Sequence, residues 1–253
     1  MRIEPVTLAL LPSLRALWLE AFGDDGHFWD TFLDTAFAYD RTRCIIEEGE
    51  VVSALCWLDA TVDGHRLAYL YAIATRREKR GRGLCQSLMT DTHAHLADRG
   101  YDGAILVPSE PSLFDFYARV GYLPCAPMQT LTLAAADEPI ALRRLNAEEY
   151  GRLREQYLPR GGVIQDENSL RFLEACAVLY ASDNLLVAAE LRDGALFCPE
   201  LLGDTSLAPR IVRALGYTEG RFRLAGEHTP FAAYRPLTDR APTAPSYFAL
   251  AFD

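Results

Sequence analysis

The stretch L-Y-A-I-A-T-R-R-E-K-R-G-R-G-L-C, residues 70–85, combines three patterns. Its first six residues, with Tyr69 before them, are aromatic, apolar or β-branched, which is typical of a mostly buried strand. Gly81 and Gly83 then interrupt the strand. Apolar residues recur every fourth position from Leu84 onward, which predicts a helix. The stretch therefore predicts a strand, a basic glycine-containing turn and the start of a helix.

The predicted turn has the composition of an anion site. The first backbone N–H groups of a helix lack partners, and the helix dipole adds positive potential there. Glycines allow a phosphate to approach the backbone, which a Cβ would obstruct. A solvated basic turn before a core helix is the alternative interpretation. Although the chain carries a net charge of −10, five cations cluster here: Arg76, Arg77, Lys79, Arg80 and Arg82.

Two general phosphate motifs are absent from this turn. A P-loop requires Gly-Lys before Ser or Thr, and G-x-G-x-x-G fails because Gln86 stands at the last position. The remaining R-G-R-G-L-C resembles the pyrophosphate signature (Arg/Gln)-x-x-Gly-x-(Gly/Ala) of the GNAT superfamily of N-acyltransferases. Arg80 and Gly83 match the signature, and Cys85 departs from it while remaining small. The resemblance implies that these residues hold a coenzyme pyrophosphate: Arg80, Gly81, Arg82, Gly83, Leu84 and Cys85.

A second match follows at the expected distance. Residues 116–122, F-Y-A-R-V-G-Y, fit the pattern F-Y-x-x-x-G-(F/Y) that follows a strand and a short helix in GNAT enzymes. The resemblance implies that Tyr117 lies near the thioester sulfur and protonates the leaving thiolate. Taken alone, Tyr117 fits better a half-buried aromatic residue that closes a small helix; the loop upstream in the right order favours the functional interpretation.

The resemblance also implies a reaction. In the family the strand before the loop separates from its neighbour, and its backbone binds the pantetheine amides. This role falls here on Ile73, Ala74 and Thr75. The implied reaction transfers an acetyl group from acetyl-CoA to a primary amine of a small molecule or peptide by direct attack, without a covalent enzyme intermediate.

Two carboxylates are candidates for the general base. Glu110 follows the strand beside the predicted cleft, and its alternative is an exposed loop carboxylate. Asp253 ends an apolar run, 246–252, that predicts a last strand. The resemblance to tandem GNAT aminoglycoside acetyltransferases, in which the terminal carboxylate is the base, implies this role for Asp253. A strand that only completes a sheet is the alternative.

The predicted order of elements is that of a GNAT domain over residues 1–134. This is the α+β class, with a central mixed, mostly antiparallel sheet flanked by helices. Helices are expected over 8–21 and 26–38; they either form core or wall the acceptor pocket. Three antiparallel strands precede the loop, and Asp63-Gly64 marks one hairpin between them.

The second half, 140–253, partly repeats this pattern after the small polar linker 134–139. No basic glycine loop follows its corresponding hairpin, and Asp204 there would repel a pyrophosphate. Residues 140–253 are therefore expected to form a smaller, degenerate GNAT-like domain without a coenzyme site.

Composition sets the broader expectations. Half of the 253 residues are apolar and 24% are charged, as in an ordinary globular protein. No apolar run approaches the ~20 residues of a membrane span, and the first residues lack the apolar core of a signal peptide. Scattered cysteines without C-x-x-C predict a cytoplasmic protein. His93 and His95 would point apart on one helix, so no metal site is expected.

The acidic balance argues against nucleic acid and favours a cationic amine as substrate. Monomer and homodimer both remain open. Three functional hypotheses follow: an acetyl-CoA-dependent N-acetyltransferase, a non-catalytic acyl-CoA-binding or sensor module, and a structural repeat protein whose loop binds another anion. Tyr117 in its motif favours the first over the second, and the two paired motifs favour both over the third.

Overall fold

The chain forms two compact units in this computed structural model, which describes residues 2–23, 26–192 and 194–252. Unit 1 comprises Met1–Leu123 and Ala233–Pro242, and unit 2 comprises Pro124–Ala232 and Thr243–Asp253. Each unit thus contains a segment from near the end of the chain. The sequence predicted a linear division, with one domain ending at residue 134 and the next beginning at residue 140. That division does not assign any late segment of the chain to the first unit.

Unit 1 contains a mixed, mostly antiparallel sheet. Strands β1 to β4 pair antiparallel in sequence order, and β5 pairs parallel with β4. Residues 233–236 add a further antiparallel strand beside β5. The strands are β1 (Arg2–Pro5), β2 (Thr42–Glu47), β3 (Glu50–Val62), β4 (His65–Thr75) and β5 (Gly103–Leu106).

Helices cover both faces of this sheet. Leu70 packs in one core cluster with Leu84 and Leu88, whereas the ring of Tyr71 lies 5.8 Å from that of Trp18. Because adjacent strand residues point to opposite faces, the helices that carry these partners lie on opposite sides. The helices are α1 (Leu11–Phe22), α2 (His27–Thr35), α3 (Leu84–Asp98) and α4 (Leu113–Ala118).

Local sequence explains the boundaries of these elements. Asp63 and Gly64 have φ values of 47° and 83°, which is the left-handed pair that a tight hairpin requires, so the predicted turn is confirmed. Gly23, with φ 67°, ends α1. The predicted helix over 8–21 begins instead with a short 3-10 turn, because Pro12 favours the first turn of the α-helix.

Unit 2 repeats the strand order and directions of unit 1. β7, β9, β10 and β11 pair antiparallel in that order, and β12 pairs parallel with β11 after a connecting helix. The remaining elements belong to unit 2, except for Leu123 and residues 233–236 at the ends of β6 and β12, which belong to unit 1. They are β6 (Leu123–Ala134), β7 (Arg143–Leu145), α5 (Ala147–Tyr157), β8 (Ile164–Gln165), α6 (Glu167–Cys176), β9 (Val178–Ser182), β10 (Leu185–Arg192), β11 (Ala195–Gly203), α7 (Ala208–Ala214) and β12 (Glu219–Pro236).

The predicted last strand over 246–252 is wrong. Among the described residues, only Tyr247 in this segment makes a bridge, to Gly162. Residues 247–251 are nevertheless buried, and side chains satisfy two of their carbonyl groups in place of a ladder. Arg223 Nη1 donates to the carbonyl of Ala249 at 2.9 Å, and Gln165 Nε2 donates to that of Leu250 at 2.8 Å.

The core of unit 2 contains a buried ion pair. Arg154 donates to both carboxylate oxygens of Glu200, at 2.7 and 3.0 Å, and both side chains are almost fully inaccessible. The hydroxyls of Tyr150 and Tyr247 donate to the same carboxylate at 2.9 and 3.2 Å. Every oxygen of the buried carboxylate is therefore bonded, which is what allows the charge to be buried.

We expect Glu200→Ala to lower the free energy of unfolding by about 3–5 kcal/mol, because it leaves the Arg154 charge buried without its partner. Urea denaturation followed by circular dichroism measures this change. Glu155→Ala, at an exposed position of α5, is the matched control and is expected to change stability by less than about 0.5 kcal/mol. Equal effects of the two variants would contradict this account of the ion pair.

No helix within the described residues is both long and apolar enough to cross a membrane.

Candidate active site

The loop between β4 and α3 presents an open helix start. Gly81 and Gly83 have φ values of 78° and 74°, and no atom lies within 4 Å of the Cβ that either would carry. Gly83 is the N-cap residue, and no side chain caps α3 among the described residues. The first backbone bond of the helix joins Ser87 N–H to the carbonyl of Gly83 at 3.0 Å.

The amides of Leu84, Cys85 and Gln86 consequently have no backbone acceptor among the described residues. They stand at the positive end of the helix dipole, beside two glycines that leave room for a ligand. This arrangement suits a phosphate group, which accepts several N–H donors at once. The structure thus provides the donors and the space that the sequence motif requires.

The cations of the loop differ in their partners. Arg82 pairs with Glu47 through two nitrogen–oxygen contacts of 2.9 and 2.8 Å, and Lys79 Nζ lies 3.3 Å from the same carboxylate. Arg76 pairs with Glu20 at 2.8 Å. Arg80 donates to the carbonyl of Thr75 at 3.1 Å and has no carboxylate partner in the described part of the chain.

Strands β4 and β5 separate beside the loop. They pair only over Leu67–Tyr69 and Gly103–Ile105. Past this point β4 stays paired with β3, through Ala74 and Thr75, but the described residues provide no strand on its other edge. The register with β3 shifts between Ala54, which pairs with Ala74, and Cys56, which pairs with Tyr71; within this shift Ala72 adopts φ 51°. This is a β-bulge, which bends the strand.

The bulge positions the predicted coenzyme-binding strand. Ile73, Ala74 and Thr75 lie between it and the loop, along the edge that β5 leaves open. The bulge at Ala72 was not predictable from the sequence, because alanine carries no signal for a left-handed backbone.

Tyr117 belongs to the same core cluster as the first residue of α3. Its side chain is 8% exposed and packs edge-on against Phe116, with ring centroids 5.2 Å apart. Its hydroxyl makes no hydrogen bond to a described residue. Burial, and then the nearby Cys85 thiol, raise the pKa of Tyr117, so its hydroxyl keeps its proton at neutral pH. Burial also raises the pKa of Cys85 to about 11.

Of the two predicted carboxylates, the structure describes only Glu110. Glu110 lies exposed in the loop between β5 and α4. Its carboxylate accepts the hydroxyl of Ser112 at 3.2 Å, and its carbonyl accepts the N–H of Leu113 at 3.0 Å. Asp253 lies outside the described residues.

An aromatic cluster covers the other face of β4. Trp18 of α1 stacks on Phe32 of α2 with ring centroids 5.1 Å apart, and Trp29 packs edge-on against Trp18 with ring centroids 5.2 Å apart. All three side chains are at most 4% exposed. Their burial supports the core interpretation of these two helices.

Sequence comparison assigns the first part of the chain. A profile described as "Acetyltransferase (GNAT) domain" matches residues 2–125, which contain the loop, the separated strands and Tyr117. This part of the chain is a GNAT domain. A search of curated proteins finds no match.

Solved structures resemble nearly the whole chain. A GCN5-related N-acetyltransferase from Kribbella flavida is 20% identical over 93% of this chain and 70% of its own, with a TM-score of 0.72. A GCN5-related N-acetyltransferase from Anabaena variabilis is 14% identical over 94% of this chain and 73% of its own, with a TM-score of 0.73. Eis1 from Mycobacterium abscessus is 15% identical over 94% of this chain and 74% of its own, with a TM-score of 0.67.

These likenesses confirm the predicted α+β GNAT fold. At such low identity they show the fold alone, whereas the family profile places the GNAT domain among acetyltransferases. Acyl transfer is accordingly its reaction class.

Proposed function

We propose that the GNAT domain transfers an acetyl group from acetyl-CoA to a primary amine of a small molecule or peptide. The observation that carries this proposal is the uncapped start of α3 behind Gly81 and Gly83. Open amides, a helix dipole and adjacent cations suit the pyrophosphate of the coenzyme. Acetyl-CoA supplies the acyl group as an activated thioester.

The residues of unit 1 have separate roles in this proposal. The amides of Leu84 and Cys85, with Arg80 and Arg82, bind the pyrophosphate. The open edge of β4, at residues 73–75, binds the pantetheine amides and donates an N–H to the thioester carbonyl.

The chemical step exchanges one acyl bond for another. The amine nitrogen attacks the thioester carbon, the C–N bond forms and the C–S bond breaks. The attacking nitrogen loses a proton to a base, and Tyr117 donates its proton to the departing sulfur. Its raised pKa supports this role, because a general acid must be protonated before the reaction.

Glu110 is our candidate for the base in unit 1, because it is a carboxylate free of cationic partners among the described residues and lies in the loop between β5 and α4. Asp253 stays a second candidate. The net charge of −10 supports a cationic amine as acceptor. The six cysteines are all free, which supports the cytoplasmic location that we propose.

A non-catalytic acyl-CoA sensor is the second candidate function. It would use the same loop but would not need a proton donor. The Tyr117 hydroxyl, left without a hydrogen bond to described residues, favours the enzyme over the sensor.

We expect unit 2 to bind no coenzyme, so acetyl-CoA should bind once per chain. At the corresponding turn, a Cβ on Gly203 would lie 2.1 Å from the carbonyl oxygen of Asn184, so the turn is closed by backbone. The Asp204 carboxylate also accepts the N–H of Ser206 at 3.0 Å and adds negative charge. Calorimetric titration measures the stoichiometry, and a value near two would contradict this prediction.

The same titration tests the proposed function. We expect acetyl-CoA to bind and desulfo-CoA analogues that keep the pyrophosphate to compete with it. The absence of acetyl-CoA binding by the folded chain would overturn the proposal.

A further inference from the structure

Two carboxylates from different elements hold the coenzyme loop. Glu47, the last residue of β2, contacts Arg82 at 2.8 and 2.9 Å and Lys79 at 3.3 Å. Glu20, in α1, accepts the backbone N–H of Arg77 at 2.7 Å and pairs with Arg76 at 2.8 Å. Four of the loop residues are therefore bonded to only two carboxylates.

The two carboxylates hold different parts of the loop. Glu47 contacts only the charged ends of side chains, and these are the groups that a phosphate would bind. The Arg82 side chain lowers the pKa of Glu47 more than any other group does. For Glu20 the largest contribution to its lowered pKa is the backbone N–H of Arg77. Glu20 thus fixes the path of the backbone, whereas Glu47 neutralises cations.

We propose that Glu47 is an internal counter-ion that occupies Arg82 and Lys79 in the free enzyme and weakens coenzyme binding, because phosphates must compete with it for both cations. This inference rests on the proposed function and adds a residue that sets coenzyme affinity at the same site.

The geometry makes such an exchange feasible. The Arg82 side chain is 49% exposed, so a ligand can reach its guanidinium while Glu47 is still bound. Exposed ion pairs contribute little to stability, so the pair breaks at low cost.

We expect Glu47→Gln to lower the Kd of acetyl-CoA about threefold to tenfold at low salt, since it frees Arg82 and Lys79 to bind the phosphates. The gain should shrink at about 1 M salt, where charges are screened within about 3 Å. Glu48→Gln is the matched control. It removes the same charge from the adjacent position, and Glu48 contacts no loop cation among the described residues, so its Kd should stay within about twofold of wild type.

We expect Glu20→Ala to change the Kd of acetyl-CoA in the opposite direction. Because Glu20 holds the backbone N–H of Arg77, its loss should disorder the loop and raise the Kd of acetyl-CoA. A lower Kd in Glu47→Gln together with a higher Kd in Glu20→Ala would separate charge competition from loop positioning. A general loss of structure would instead raise the Kd in both variants.

The experiment titrates wild type, Glu47→Gln, Glu48→Gln and Glu20→Ala with acetyl-CoA and, separately, with inorganic pyrophosphate at two salt concentrations. Tighter binding of either probe by Glu47→Gln alone supports the counter-ion role. Unchanged or weaker binding of both probes overturns it. Pyrophosphate binding that tightens in Glu47→Gln while acetyl-CoA binds to no variant would instead overturn the proposed function and leave the counter-ion role standing.

Discussion

Gly83→Glu is expected to abolish acetyl-CoA binding. The new side chain would start in open space, since no atom lies within 4 Å of its Cβ, and its carboxylate would reach the position proposed for the pyrophosphate. There it would accept the free amides of α3 and repel the phosphates. We expect a loss of at least about a hundredfold in affinity, because charge-assisted hydrogen bonds contribute about 1.5–3 kcal/mol each and several would be lost.

Two controls separate this effect from strain. Gly83 has φ 74°, so any side chain there costs some stability. Gly64→Glu adds the same charge at another left-handed, open position in the β3–β4 turn and should bind acetyl-CoA normally. Gly83→Asn tolerates the left-handed backbone without a charge and should retain part of the affinity. A folded Gly83→Glu variant that binds like wild type would place the pyrophosphate elsewhere.

Tyr117→Phe is expected to lower kcat about a hundredfold, at the lower end of the range for general acids. Because a coenzyme thiol is a stronger acid than a buried tyrosine, proton donation by Tyr117 lowers the barrier only modestly. The proton moves to the sulfur as negative charge develops there in the transition state. Acetyl-CoA affinity should change by less than about threefold, because this interaction is made mainly in the transition state.

Steady-state kinetics and calorimetry together test this expectation. Tyr122→Phe is the matched control: it removes a buried hydroxyl that already bonds His93 at 2.8 Å, so kcat should stay within about twofold. A wild-type rate in Tyr117→Phe would show that Tyr117 is only a core residue and that water or another group supplies the proton.

Local chemistry made much of the fold predictable. Turns with a left-handed backbone favour glycine, and the pair Asp63-Gly64 is a specific signal for a hairpin. The β2–β3–β4 strands and the glycines of the loop could therefore be predicted from the sequence. The predicted helix after Gly83 is confirmed over Leu84–Asp98.

Other features depend on contacts between distant residues. Glu20 and Glu47 lie 57 and 35 positions from Arg77 and Arg82, so nothing local identifies them as partners of the loop. The run 246–252 was predicted as a strand because its apolar residues indicate burial. They do not indicate which groups form hydrogen bonds with its backbone. Here Gln165 and Arg223 supply that partner.

The most direct test of acetyl transfer is release of free thiol from acetyl-CoA by the purified chain, measured against a panel of primary amines, with the product identified by mass spectrometry. The account predicts thiol release that requires an amine, yields an acetylated amine in equal amount, and is lost in Gly83→Glu but kept in Gly64→Glu. Tight acetyl-CoA binding without thiol release for any amine would contradict it and would favour the sensor.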